Sequence, residues 1–456
     1  MGLRLAYLPH RNATIAMPLK GMGSMQGETE QQDHLELEAQ RVLERHATRN
    51  FWLNVLDGGA FLLGLSMVSR YTVLPLFVER LSSERWLQGL IPAINYIGWF
   101  LPALFIAPLV ASMPRRKPWI MMMTIGERVP FLALGLVLVL WPGLPATTLL
   151  AIFFLLYAIQ AFSAGFTGLA WQDFIARLIP GRRWGTFFGL QFGLGGVLGV
   201  AGAWVAARIL ATLPERQGVG VLALLCFAAM VLSYVFISLT VEPPQTTEPR
   251  QPMGAFLRGI LPLLRRDHAF RRYLLCRSAI ALGLAGHGFL TAAALERFQV
   301  QNADVGFFTG ALLGAQAISN IGFGALADRW GHKQVLELAA GLGILALLAA
   351  IIAPSAGWFL PIFALVGAAQ AGYQLSGFTL VFSFSTPGDR PTYIGVANTA
   401  LAPVAALGPL LAGWLAELAG YGTLFAVLFL IGLMGLLALH WRVPAPAHAP
   451  QAATGE

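Results

Sequence analysis

The sequence predicts an all-α membrane protein with twelve transmembrane helices in two six-helix bundles. Three observations lead there. The chain has 456 residues, of which 57% are hydrophobic and only 11% charged, and its mean hydropathy is +0.67. That is too little charge to cover a soluble surface of this size. Apolar runs of roughly 20 residues recur along nearly the whole length, each long enough to cross about 30 Å of hydrocarbon as a helix. The residue-by-residue alternation of a membrane barrel is missing, and backbone groups in lipid must be bonded internally, so the runs mean helices.

Residues 1–50 are polar and read as a cytoplasmic N-terminal tail, although "ETEQQDHLELEAQRVLERHATRNFW" can also form an amphipathic helix leading into the first span. Spans are expected at 51–78, 87–112, 118–141, 146–170, 186–211 and 219–240, then at 273–296, 304–326, 335–353, 358–382, 395–417 and 422–441. Charge or Pro/Gly loops bound each one. Between the sixth and seventh spans, residues 242–272 open Pro-rich and polar, as a linker does. They turn into a basic amphipathic segment, "FLRGILPLLRRDHAFRR", suited to a membrane surface. The expected units are therefore 1–50, a first bundle at 51–241, the linker at 242–272, a second bundle at 273–441 and a C-terminal tail at 442–456.

Charge orients the chain. With both termini cytoplasmic, the loops near 114–118, 171–185, 242–272, 327–334 and 384–394, plus the termini, hold about 22 of the 30 Lys and Arg. The opposite loops hold Arg80, Arg85, Arg216 and Arg297. The net charge of +8 thus follows from cytoplasmic loops and needs no nucleic-acid partner. Cys226 and Cys276 lie in or beside apolar runs and give neither a disulfide framework nor a metal spacing. The eight histidines include no H-E-x-x-H arrangement, so no metal or cofactor is expected.

The halves echo each other. "PGRRWGTFFG" (180–189) precedes span five and "PGDRPTYIG" (387–395) precedes span eleven, while "PRRKPW" precedes span three and "DRWGHK" precedes span nine. Loops that recur six spans later are the trace of parallel six-helix repeats.

"GALADRWGHK" (324–333) resembles the loop signature of the major facilitator superfamily between helices eight and nine. Gly324, Leu326, Ala327, Asp328, Arg329, Gly331 and Lys333 fit it, and His332 stands where a second Arg is usual. Gly331 can take positive φ and end a helix. Asp328 closes span eight, where an acid can face the positive N-terminus of a neighbouring helix. The resemblance implies that this neighbour is span five, which starts with Arg182 and Arg183, making a cytoplasmic gate across the halves. The alternative is a solvated turn that marks topology. In the first half Ser112 replaces the Asp and Arg115 the Gly, so the matching gate is weakened or rebuilt, with Asp389 and Arg390 as candidates.

Ionisable residues inside a membrane are costly and mark function by default. Arg70 lies in span one, with Asp57 shallower in the same span. Glu127 and Arg128 lie in span three, and an Arg128–Asp57 pair is the expected structural use. His287 lies mid-way along span seven, as a proton relay or a packed histidine. The family resemblance implies that spans one, four, seven and ten line a central cavity. Each carries a polar residue near mid-depth: Arg70, Gln160, His287, and Gln370 with Gln374, accompanied by Tyr157 and Tyr373. These are the substrate-binding candidates. Asp57, Glu127 and His287 are the proton-coupling candidates.

The expected function is a secondary active transporter of a small molecule, working by alternating access in the cytoplasmic membrane. Proton coupling is the default, export is one direction, and uniport stays open. No Walker-type phosphate loop is present, and no nucleophile–base or metal constellation points to an enzyme. Small-molecule substrate, lipid and protons are the expected partners, with the chain acting as a monomer. Arg70, Arg128, Arg208 and Arg277 outnumber Asp57 and Glu127, which leans toward an anionic or amphipathic cargo. Phe153, Phe154, Phe166 and Phe378 suit a hydrophobic one. The alternative from another class is a non-transporting assembly or pigment-delivery protein on the same scaffold.

Overall fold

The computed structural model describes residues 22–70, 72–82, 84–245, 251–298 and 302–444. The expectations for residues 1–21, 246–250 and 445–456 of the tails and linker lie outside them. The helices are α1 (Met22–Met67), α2 (Val73–Leu81), α3 (Arg85–Ala111), α4 (Lys117–Leu140), α5 (Ala146–Leu178), α6 (Trp184–Thr212) and α7 (Glu215–Ser238). They continue as α8 (Met253–Arg266), α9 (His268–Leu284), α10 (Leu290–Phe298), α11 (Asn302–Trp330), α12 (His332–Ile352), α13 (Phe359–Ser383) and α14 (Arg390–Arg442). No strand occurs among the described residues.

Ten of these helical segments are long and apolar enough to cross a membrane, against the twelve spans expected. Two places account for the difference. The expected first span is cut in two, because α1 ends at Met67 and α2 begins at Val73, with Arg70 in the break. The last two expected spans run together as the 53-residue α14, which is interrupted by non-helical backbone at Gly420 (φ 77°). Only glycine takes that φ without strain. Span seven is also broken, by a 3-10 turn at Ala285–Phe289 between α9 and α10. The linker's amphipathic segment divides at Asp267, whose Oδ1 accepts the Phe270 N–H at 2.8 Å and so caps α9. The tail segment is helical from Met22 and runs into the first span without a break at residue 50.

Within the first half, α1 packs on α6 and α7, α4 on α5 and α7, and α3 on α5. Within the second, α13 packs on α11 and α12, and α14 on α9 and α12. The two halves meet where α6 crosses α11 and where α3 crosses α14. Glycine sets the first crossing. A Cβ on Gly324 would sit 2.5 Å from the Gly185 carbonyl oxygen, and one on Gly189 would sit 2.5 Å from the Asn320 carbonyl oxygen. In lipid, helices associate by close packing rather than by escape from water, so small residues mark the contact.

The apolar core has an unequal distribution. At the end of the molecule that carries Arg115–Lys117, Arg177, Arg182, Arg183, Arg329, Lys333 and Arg390, one cluster joins both halves, including Phe187, Phe188, Ala327, Leu375, Phe382 and Ile394. At the opposite end the core is two clusters, one around Phe77, Phe153 and Leu222 and the other around Phe308, Phe359 and Phe425. The halves are joined at the basic end and separate at the other.

Candidate functional site

The second-half loop closes on the first half through its acid. Asp328 accepts the backbone N–H of Gly185 (2.6 Å, Oδ1) and of Thr186 (2.6 Å, Oδ2). Those are N–H groups of the first turn of α6, which have no partner within the helix, and the positive helix end favours a carboxylate there. Arg182 and Arg183 are exposed on the 3-10 turn that precedes α6. Arg183 acts on Asp328 through space, while the bonds come from the backbone. Gly331 separates α11 from α12 with φ 106°. Gly324 lies at the α6–α11 crossing, and Arg329 is exposed. Lys333 turns away from the first half: its Nζ donates to the His440 carbonyl at 3.1 Å and lies 3.4 Å from Glu337.

The matching first-half crossing is held by other residues. Ser112 Oγ bonds back to the Leu109 carbonyl of its own helix at 2.8 Å, and Asp389 is occupied by Thr386 N–H and Oγ1. The acid at this crossing is Asp173 of α5, which is fully buried. Its Oδ2 accepts Arg116 Nε at 2.7 Å and Arg177 Nε at 2.8 Å, and its Oδ1 lies 3.8 Å from Arg390 Nη1 of α14. Arg177 also reaches the Pro387 carbonyl at 3.1 Å. Glu242 accepts the backbone N–H groups of Arg116 and Lys117 at 2.9 and 2.8 Å. Burial pushes its carboxyl above the usual range, against the pull of those two amides. Burial likewise brings Arg116 down to about 10, which leaves it a cation at neutral pH. Sequence reasoning missed Asp173 because span four was ended at residue 170. The helix continues to Leu178, and only then do Asp173 and Arg177 stand one turn apart on one face.

A second polar cluster lies inside the first half. Asp57 Oδ1 accepts the Ser233 hydroxyl at 2.6 Å, and Ser233 Oγ accepts Arg128 Nη2 at 3.0 Å. Arg128 also donates to the Met230 and Thr124 carbonyls at 2.8 and 3.0 Å. The expected Arg128–Asp57 pair is therefore relayed through Ser233 and not direct. Glu127 Oε1 is buried without a hydrogen-bond partner among the described residues.

The expected cavity residues separate into groups. Gln370 and Gln374 are exposed one turn apart on α13, with Tyr373 half-buried between them. Arg70 is exposed in the break between α1 and α2 and donates to Asn95 Oδ1 at 2.5 Å. Gln160 and Tyr157 are buried on α5, with Tyr157 stacked on Phe153 at 5.7 Å. His287 Nε2 lies 3.0 Å from the Gly343 carbonyl of α12. A carbonyl only accepts, so Nε2 carries the proton and donates it. A residue given only a passing part in the sequence reading completes the set: Arg277 on α9, stacked over the rings of Tyr273 and Tyr373 at 5.9 and 5.8 Å.

Comparison with known proteins agrees with this geometry. A family model described as "Major Facilitator Superfamily" matches residues 273–456. The methylenomycin A resistance protein of Streptomyces coelicolor is 32% identical over 123 residues, which is 27% of this chain and 26% of that protein. The match thus spans about a quarter of that relative's length. Among solved structures, a bacterial homologue of the iron transporter ferroportin in an outward-facing state superposes with a TM-score of 0.70 at 16% identity, over 86% of this chain and 98% of that one. The E. coli fucose:proton symporter gives 0.69 at 16% identity over the same shares. At that identity the likeness shows the fold. The second-half family match, the shared fold and the Gly324–Lys333 loop closed on α6 by Asp328 converge: residues 273–456 match the major facilitator superfamily, and the chain shares the fold of those solved structures.

Proposed function

We propose that this chain is a secondary active transporter that moves a small molecule by alternating access, with the outer side open in this conformation. The observation that carries the reading is the division of the apolar core: one cluster across both halves at the basic end, two separate clusters at the other. Two bodies joined at one end and apart at the other leave a central space open to one side. The exposed amides Gln370 and Gln374 on an otherwise apolar helix fit a water-filled wall there, since polar groups facing lipid are costly. Taking the basic end as cytoplasmic follows the bias of Lys and Arg toward that side.

The bodies proposed are residues 51–241 and 273–441, each a bundle of six crossings. At 1.5 Å per residue α14 is about 80 Å long, more than two bilayer cores, and Gly420 is where it would reverse. The chain acts as a monomer in the cytoplasmic membrane. Asp328 on the α6 N-terminus and the Asp173 cluster hold the cytoplasmic gates shut. Coupling to protons is assigned first to Glu127, because a buried carboxylate with an unpartnered oxygen gains most from taking up a proton, and then to Asp57 beside it. His287, donating to a backbone carbonyl, is the weaker carrier. Sequence likeness to a resistance protein favours export.

The test is flux in proteoliposomes. Purified protein with an imposed pH gradient is expected to drive a cargo against its concentration, and Glu127→Gln to abolish that accumulation while cargo exchange persists. Gradient-independent behaviour of the wild type across a broad library, together with a copurifying protein, would sink the transporter reading.

A further inference from the structure

The gap between α9 and α13 holds a cation without an acid. Arg277 is nearly buried, roughly 14 Å along α9 from its start at 1.5 Å per residue. Among the described residues the titratable groups facing it are the phenols of Tyr273 and Tyr373, with no Asp or Glu. Its Nε is buried with no hydrogen-bond partner among the described residues. A guanidinium in a membrane protein ordinarily finds a carboxylate, a carbonyl or water. This one has two tyrosines, whose ring faces and phenol oxygens offset only part of its desolvation.

Its surroundings resemble a site more than a core. The backbones of α9 and α13 do not pack closely on one another. Side chains bridge the space: Tyr273 donates to the Gly377 carbonyl at 3.2 Å, and Tyr373 to the Arg277 carbonyl at 3.4 Å. Gly377 leaves room for the guanidinium, since a Cβ there would meet Arg277 Nη2 at 2.7 Å. Tyr373, the cover, is half-buried between the exposed Gln370 and Gln374. Thus the same helix face carries two exposed amides, a half-buried phenol and, beneath it, a positive charge that no carboxylate faces among the described residues.

We propose that Arg277 anchors the oxyanion of the transported molecule, with Gln370 and Gln374 contacting its body and Tyr373 swinging aside to admit it. The cargo class is then a small organic anion, a carboxylate or sulfonate on an apolar or aromatic frame. The planar guanidinium offers the paired N–H geometry such a group requires. The alternative use, an aromatic-clamped tie between spans, requires no anion. The word "transported" rests on the transporter reading above, whereas the anion site does not.

Purified full-length protein in nanodiscs is titrated with 2-naphthoate, 2-naphthalenesulfonate and the uncharged 2-naphthamide, read as thermal stabilisation. Both anions are expected to stabilise wild type at concentrations at least about ten-fold below the amide. Arg277→Gln is expected to erase that difference, and Arg277→Lys to keep the charge preference with weaker binding. A structural tie would change the ligand-free midpoint and leave anion-over-amide selectivity intact. Selectivity that survives Arg277→Gln, or no anion preference in wild type, overturns the proposal. If Arg277→Gln does not fold, the wild-type comparison and the Arg277→Lys titration decide. Arg277-dependent binding without flux keeps the anchor and sinks the transporter reading. Flux of an uncharged solute that Arg277→Gln leaves unchanged does the reverse.

Discussion

Each half of the molecule holds a buried arginine within a membrane-length helical segment, Arg128 and Arg277, and the two are handled in opposite ways. Arg128 sits among Asp57, Glu127 and Ser233 and donates to two backbone carbonyls as well. Arg277 sits between two tyrosine rings with no acid among the described residues facing it. The first arrangement is internally satisfied, with one spare carboxylate oxygen on Glu127. The second lacks a negative charge. The two halves thus place a buried cation in opposite settings, one beside two carboxylates and one without any.

Removing charge from each side tests this division. Arg128→Gln strands Asp57 and Glu127 in a buried setting, and a loss of about 3–5 kcal/mol is expected, measured as a lower thermal midpoint of the purified protein. Arg128→Gln combined with Asp57→Asn and Glu127→Gln should recover most of it. A mild effect of Arg128→Gln alone would break the comparison from the first-half side.

The gates differ in the same way, and Asp328→Asn probes the better-defined one. One carboxylate there receives two short N–H bonds, each worth about 1.5–3 kcal/mol when the acceptor is charged. The substitution should shift the population toward a cytoplasm-open state. A reporter cysteine at Ala397, with Cys226 and Cys276 replaced by alanine, is expected to label faster from the cytoplasmic side. Unchanged labelling would mean that the Asp173 cluster alone keeps the molecule closed.

Next in size is Gly331→Ala, which forces a side chain into backbone at φ 106° and should cost about 1–3 kcal/mol. Arg115→Gly, at the matching first-half position, should cost almost nothing, because that loop no longer uses a glycine turn. Equal effects in a thermal melt would erase the asymmetry of the two loops. The smallest expected effect is Arg277→Gln in the absence of ligand, within about 1 kcal/mol, since deleting a cation that faces no carboxylate strands no opposite charge. A large loss would mark Arg277 as structural.

Much of the machine was legible in the chain. Apolar run length and the placement of Lys and Arg carry the membrane architecture, because crossing a bilayer imposes a length and a charge bias that are properties of local sequence. The loop 324–333 carried Gly331 because positive φ is a short-range demand, and Asp328 through its resemblance to a family signature, since the helix it caps lies in the other half. The interior was less legible. Ser233 was invisible because a serine at the middle of an apolar run has no local signature, and its use depends on Asp57 arriving from another helix. Asp173 was hidden by a helix that outran its apolar stretch. His287 and Gln160 were placed on the right spans, yet the side each presents depends on rotation about the helix axis. A uniformly apolar run does not encode that rotation.

Sequence alone thus determined that the chain crosses a membrane repeatedly and which loop fastens one half to the other. The first follows from the energy of moving single segments between water and lipid, the second from the loop's resemblance to the family signature. Only the tertiary structure decided that the apolar core joins the halves at one end, that Asp173 gathers Arg116, Arg177 and Arg390, and that Arg128 has carboxylates near it while Arg277 does not. Those are properties of charges brought within a few ångströms by distant parts of the chain, and that proximity is created by packing.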